Sequence, residues 1–247
     1  MSVQGSDAIT VTEQVIYELR ERILDGKYPP GAHLHEVVTA NDLNVSRTPV
    51  RDAMRVLANE ELLAYYPNRG YIVRGVDVKD VLDAFDVRGT LEGMGCRIVA
   101  EQGMDEETER QISLLLEKGE KIFQSSTWGD SEQKEWRSLN TEFHFRLLGA
   151  AHNRHLDPVM RQMRIFPRLF DSRFASDSEF FQKVYTREQR LRSHHDHIHI
   201  VDAVRRREGS RAEALMREHI YANREVLRLG IAVAGQSTGA RKAPKKS

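Results

Sequence analysis

The sequence predicts a mainly α-helical protein in two parts: an N-terminal winged helix-turn-helix with a small β-hairpin wing, and a C-terminal antiparallel bundle made of helices alone. Three observations carry this. Apolar residues recur at helical spacing before residue 60 and again from Val78 onward. Strand-like runs are confined to Leu62–Tyr66 and Tyr71–Arg74, around the turn formers Pro67-Asn68-Arg69-Gly70. Between them and the first helix, Asn44-Val45-Ser46-Arg47-Thr48-Pro49-Val50-Arg51 reads as a tight turn entering a basic helix.

Composition sets the outer limits. With 40% hydrophobic and 30% charged residues and 7 prolines in 247, the chain has enough apolar mass for real cores and the profile of a helical soluble protein. Lys+Arg and Asp+Glu are equal at 37, so any surface for a polyanion must be local. Cys96 is the single cysteine, which excludes an intrachain disulfide and fits a reducing cytoplasm. The start, Met1-Ser2-Val3-Gln4, lacks the basic-then-apolar order of a signal peptide. No apolar run approaches the roughly 20 residues that span a bilayer, so no membrane partner is expected.

In chain order, residues 1–8 are expected to be flexible and residues 9–76 to form the small domain. A first helix is expected from Ile9 to Asp25, with Val11, Val15, Leu19, Arg22 and Ile23 on its periodic face, Ile16 beside it and Gly26 as its stop. A short second helix should cover His35 to Leu43, with Val38 and Leu43 facing inward. Asn44 makes the turn. Ser46 caps the third helix and Pro49 sits in its first turn, where a missing N–H costs little. On that helix Val50, Ala53, Met54 and Leu57 form an apolar stripe. Arg47, Arg51 and Arg55 form a second stripe about 110° away around the axis. Such a helix can pack on a domain while offering guanidiniums to DNA, and it can equally be a solvated surface helix. From Asn44 to Arg74 there are five arginines against three acids, whereas residues 1–76 as a whole are slightly acidic. A positive field is therefore restricted to one face. The wing tip adds Arg69 beside Gly70, suited to a narrow groove or to an ordinary polar turn.

Taken together, Tyr28-Pro29-Pro30-Gly31, Leu34-His35-Glu36, Val45-Ser46-Arg47-Thr48-Pro49-Val50-Arg51-Asp52-Ala53 and Asn68-Arg69-Gly70 resemble the winged-helix domain of GntR-family transcriptional regulators. The resemblance implies that Ser46, Arg47, Thr48 and Arg51 meet double-stranded operator DNA from the recognition helix, with Arg69 and Gly70 in the minor groove. Arg55, a turn further on, is expected to touch phosphate or to be solvated. Members of the FadR branch often carry a DNA-contacting arginine just after the Glu36 position; here that residue is Val37.

Residues 77–232 read as helices throughout: Val78 to Gly103, Met104 to Ser125, Glu132 to Ala151, one from Arg154 with a kink at Pro167, Phe180 to Arg207 after a break over Arg173–Ser178, and Arg211 to Leu229. His197 lies eleven residues before Glu208 and His219 eleven after it. If the last two helices are antiparallel, both imidazoles stand about 16 Å from that turn, level with each other. His144 lies mid-way along its own helix, with Asn140 one turn earlier on the same face. Three imidazoles and one short oxygen-bearing side chain can hold a divalent metal with open positions. The same residues can also be hydrogen-bonded core histidines, and His194-His195-Asp196-His197-Ile198-His199 is dense enough to match a pattern without meaning. Glu142 and Asp196 are turned away from His144 and His197 by helical geometry. Arg88 can pair with a carboxylate ligand or with Glu92 across i,i+4.

Arg88-Gly89-Thr90-Leu91-Glu92, Asn140-Thr141-Glu142-Phe143-His144, Ala150-Ala151-His152-Asn153, His197-Ile198-His199-Ile200-Val201-Asp202-Ala203-Val204 and Met216-Arg217-Glu218-His219-Ile220 resemble the FCD ligand-binding domain of the FadR branch. That resemblance implies a divalent metal ion, zinc or nickel, on Asn140, His144, His197 and His219. Register on Ile200, Ala203 and Val204 selects His197 over His195 and His199. Asn140 stands where many members have Asp, which leaves an anionic effector better tolerated. The expectation is a cytoplasmic homodimeric regulator whose operator binding responds to a small carboxylate effector at Arg88. The alternatives are a metal-dependent enzyme using the three histidines and a winged-helix scaffold that contacts only protein. From Ala234 the chain turns Gly/Ser/Lys-rich, and residues 233–247 are expected to be a disordered basic tail.

Overall fold

The computed structural model describes residues 10–24, 26–67, 69–75, 78–163 and 184–239. The expectations on residues 1–8, Asp25, Asn68, Asp77, Pro167, Arg173–Ser178, Phe180 and the last eight residues lie outside the described residues. What is described falls into two compact units, residues 10–81 and residues 82–163 with 184–239.

In the first unit, α1 (Val11–Leu24) opens on a reciprocal cap. The Thr10 hydroxyl accepts from the Glu13 N–H at 3.2 Å, and the Glu13 carboxylate accepts from the Thr10 N–H at 2.7 Å. Val15, Leu19 and Ile23 are buried, but Val11 is half exposed because it lines an open groove with Leu43 and Val45 rather than a closed core. Gly26, at φ +73°, turns the chain out of the helix. A two-residue strand that the sequence did not announce, β1 (His33–Leu34), follows. It is too short to show a period of two.

Next comes α2 (Glu36–Asp42), which corrects an expectation: Thr39 and Ala40 are buried, and Val38 is 64% exposed. This two-turn helix packs against the following one, and its inward side falls on the small residues that permit a close approach. Val38, about 100° away on the wheel, is turned outward. Asn44 takes the left-handed conformation at φ +52°, which a short polar side chain tolerates. The chain then enters α3 (Arg47–Asn59), whose Val50, Ala53, Met54 and Leu57 have no exposure at all. Burying Met54 and Leu57 contributes about 1.5–3 kcal/mol each. They hold the helix on α1, and its C-terminal end leads to β2 (Leu63–Tyr66). β2 pairs antiparallel with β3 (Gly70–Val73), Tyr66 opposite Gly70, and β1 joins the other edge of β3, giving the order β1-β3-β2.

The second unit is helical, with no strand among its described residues: α4 (Val78–Gln102), α5 (Glu106–Gln124), α6 (Asp130–Gly149), α7 (Leu156–Met163), α8 (Arg187–Arg205) and α9 (Gly209–Gly239). Asp105 caps α5 by accepting from the Thr108 N–H at 2.7 Å. Helix α6 starts two residues earlier than expected, because Glu132 works from inside the first turn: its carboxylate accepts from the Gly129 N–H at 2.8 Å. Helix α8 begins at Arg187, not Phe180. Thr186 and Gln189 form a capping box that fixes its start, and the Thr-x-x-Gln pattern passed unnoticed in a run of helix formers.

After α8 a short turn through Arg207, at φ +61°, sends α9 back along it. Helix α9 starts at Gly209 and runs to Gly239, well beyond Leu229 and through residues 233–239 expected in the tail. Once formed, a helix propagates residue by residue, and the chain has no proline before Pro244 to stop it. Phe123, Ile122, Trp136 and Leu139 form a core cluster between α5 and α6. Gly119 lets α5 approach α8 closely, since a Cβ there would lie 2.6 Å from the His194 ring.

Candidate nucleic-acid interface and metal centre

The first unit presents one polar face. Ser46 is extended at the start of α3, exposed, and its side chain makes no capping hydrogen bond. The first-turn N–H groups of the helix thus receive no hydrogen bond from Ser46, and a helix N-terminus favours an anion. Arg47, Thr48, Arg51 and Arg55 are all exposed, on the side away from the apolar stripe. Arg47 meets the Glu36 carboxylate at 3.6 Å and Arg55 meets Asp52 at 4.0 Å, with both arginine side chains about two-thirds exposed. Such solvated pairs hold little energy and can be exchanged for phosphate. At the wing, the Arg69 N–H donates to the Tyr66 carbonyl at 3.0 Å and its side chain is exposed. Gly70 holds φ +76°, a conformation that costs a residue with a Cβ. The expected DNA-reading residues thus lie on the exposed side of α3 and at the wing turn. Two exposed tyrosines on β2, Tyr65 and Tyr66, were not foreseen.

The second unit holds a buried imidazole cluster. His144 on α6, His197 on α8 and His219 on α9 are 3%, 0% and 3% exposed, and one nitrogen of each lies within 4.8 Å of the others. His197 and His219 are level as their spacing predicted, Nε2 to Nε2 at 3.3 Å. Ring packing sets the orientations: His197 stacks on Phe143 at 3.9 Å between centroids, and His144 lies at 5.1 Å from His197 and 5.3 Å from His219. Asn140, half-buried, is one turn before His144 on α6.

Two carboxylates complete the arrangement, and neither was identified from sequence as part of it. Glu92 on α4 places Oε2 at 2.6 Å from His144 Nδ1, and Asp196 on α8 places Oδ2 at 3.1 Å from His219 Nδ1. Asp196 is indeed turned from its neighbour His197; it serves the helix opposite. Glu142 pairs with Arg146 instead. Arg88 pairs with Glu92, Nε and Nη2 both at 3.0 Å from Oε1, so it forms the i,i+4 contact that was one of its two expected partners. The only signal for Glu92 was that spacing. For Asp196 there was none, because its partner lies on another helix.

Burial governs the protonation of the cluster. It pulls the His144 imidazole down to about 4, outweighing the neighbouring Glu92 carboxylate. It pushes His197 well below the ordinary range, helped by the neighbouring rings of His219, His144 and His194. His144 and His197 are therefore neutral at pH 7. His144 and His219 each set Nδ1 against a carboxylate, and an imidazole that donates its single N–H there keeps Nε2 as a bare acceptor. His197 Nδ1 is buried and has no hydrogen-bond partner among the described residues. A single proton on His197 cannot satisfy both its Nδ1, which has no partner among the described residues, and its Nε2, which faces His219 Nε2. Three imidazole lone pairs converging without enough protons to share fit a divalent cation, and carboxylates on the remote ring nitrogens are what a metal-ligating histidine ordinarily has. His194, one turn before His197, is also fully buried and packs on Trp136; Glu120 Oε2 comes to 3.5 Å of its Nε2.

Comparison with known proteins agrees with both halves. The family of bacterial regulatory proteins named gntR matches residues 11–73, and the FCD domain matches residues 83–222. The chain is 28% identical over 193 residues to the Nta operon transcriptional regulator of Aminobacter aminovorans, covering 78% of this chain and 83% of that one. It is 31% identical over 153 residues to the uncharacterized HTH-type transcriptional regulator YdhC of Bacillus subtilis (strain 168), covering 61% and 65%. Among solved structures, E. coli McbR/YncC shares the fold with a TM-score of 0.64 at 21% identity, over 94% of this chain and all of that one. No helix among the described residues is long and apolar enough to cross a membrane. The FCD match spans more than half of the sequence, and the chain belongs to the GntR family of bacterial regulatory proteins: a DNA-binding regulator, not an enzyme, that joins a winged helix-turn-helix to an FCD ligand-binding domain.

Proposed function

We propose that this regulator binds a palindromic operator as a cytoplasmic homodimer and releases or tightens its hold when a small carboxylate effector binds beside a metal ion in the FCD domain. One winged helix contacts a half-site, and two-fold symmetry doubles the contacts. Ser46, Arg47, Thr48 and Arg51 are the groove-facing residues, Arg69 and Gly70 the wing contact, and Arg55 a phosphate contact. Asn140, His144, His197 and His219 are the ligands for zinc or nickel. The observation that carries this reading is the sealed convergence of three imidazoles, one of which, His197, has a buried nitrogen with no partner among the described residues. The donor set brings no negative charge of its own, so a bound divalent ion keeps its charge and offers open positions to a carboxylate. Arg88, at the rim of the same constellation, supplies the matching cation.

The test measures metal content and operator affinity on the same preparations. His144→Ala, His197→Ala and His219→Ala are each expected to lose bound metal, by elemental analysis, while the winged helix keeps its fold. Full metal occupancy in all three variants refutes the site.

A further inference from the structure

We propose that Glu92 and Arg88 act on His144 in opposite senses: Glu92 positions the imidazole and favours a cation on it, and Arg88 holds that effect down. The proposal rests on the metal reading above and adds residues outside the ligand set.

The geometry is a three-residue chain. Arg88 gives both Nε and Nη2 to Glu92 Oε1, and Glu92 Oε2 takes the Nδ1–H of His144 at 2.6 Å. The Glu92 side chain is fully buried and that of Arg88 is 12% exposed, so water screens this chain poorly. Holding Nδ1–H fixes the tautomer that leaves Nε2 as the ligating atom, and the negative charge behind the ring makes that nitrogen a better donor. Arg88 cancels part of that charge. His219 differs. Its carboxylate, Asp196, is about one-third exposed and pairs with no arginine among the described residues. One ligand thus carries an unopposed carboxylate and another a carboxylate whose strength is set by a guanidinium. An anion that engaged Arg88 would release Glu92 from it, and by linkage the ion would tighten the hold on that anion.

The experiment is a chelator-competition titration of Zn2+ and Ni2+ against the full-length wild type, Glu92→Gln, Arg88→Met, and the Arg88→Met/Glu92→Gln double variant. Glu92→Gln is expected to weaken metal binding by about 10–100-fold. Arg88→Met is expected to tighten it several-fold. The double variant, which leaves no unpaired guanidinium buried and so guards against a folding failure, is expected to bind about 10–100-fold more weakly than Arg88→Met alone. A double variant that binds like Arg88→Met, or an Arg88→Met variant weakened like Glu92→Gln, overturns the proposal. A wild type that binds neither ion overturns the metal reading itself, and this proposal with it.

Discussion

The arginines of α3 and the histidines of α6, α8 and α9 ride on helices of the same geometry, yet one set stands in water and the other is sealed from it. Arg47 and Arg55 keep about two-thirds of their side-chain surface and make ion pairs no closer than 3.6 Å. His197 has no exposed surface, a stacked phenylalanine and a nitrogen with no hydrogen-bond partner among the described residues. The first arrangement costs the protein little and fixes little. Its side chains are free to exchange these weak pairs for other partners. The second is expensive before any ligand binds, since burial opposes protonation of His144 and His197 and one buried ring nitrogen has no partner among the described residues. A surface that reads a long polyanion can remain mobile and weakly paired. A site for one small ion must be assembled in advance.

Breaking the support beneath the open face should have the largest effect. Leu57 has no exposure, and Leu57→Ala should cost about 2–5 kcal/mol. Chemical denaturation should show that loss in the first unit, with the imidazole cluster retained. An unchanged midpoint would mean that the apolar stripe does not hold α3.

Acid should break the sealed region next. His144 and His197 have folded values below their unfolded ones, so between about 4 and 6.5 the unfolded chain binds protons that the native chain refuses. Stability of the metal-free protein should be fully present above pH 6.5 and fall as the pH drops through that window. His144→Gln should flatten the fall. A wild-type profile that is level from 7 to 4.5 would contradict the depressed imidazoles.

The smallest effects separate the arginines from one another. Arg51→Ala should weaken operator binding by roughly 1–3 kcal/mol if it reads a base edge, measured by fluorescence anisotropy at fixed salt, with no change in melting temperature. Arg55→Ala should cost less and lower the salt slope by about one. Equal losses at both positions would erase the distinction between a groove residue and a phosphate contact.

Much of the first unit could be read along the chain. Val50, Ala53, Met54 and Leu57 were identifiable because helical periodicity is local, and all four are fully buried. Arg47, Arg51 and Arg55 followed as the complementary stripe. Where the reading failed, the deciding contact was distant or very short. Val38 was misplaced because which side of a two-turn helix faces inward depends on what α3 presents to it. Strand β1 was missed because two residues carry no alternation, only a partner on β3. The extension of α9 was missed because composition argued for a tail while nothing in the sequence before Pro244 forbids a helix.

By itself the sequence determined which faces are apolar, where α3 begins, and that His197 and His219 stand level about the Glu208 turn, since all of these follow from backbone periodicity and chain connectivity. Only the tertiary structure decided what those residues meet. It brought Glu92 from α4 onto His144 and sent Asp196 across to His219. It also left His197 Nδ1 without a hydrogen-bond partner among the described residues. The physical reason is that charge and hydrogen bonding act through space at ranges of a few ångströms. Helix packing sets those distances between residues 23 or 52 positions apart, and no local pattern encodes them.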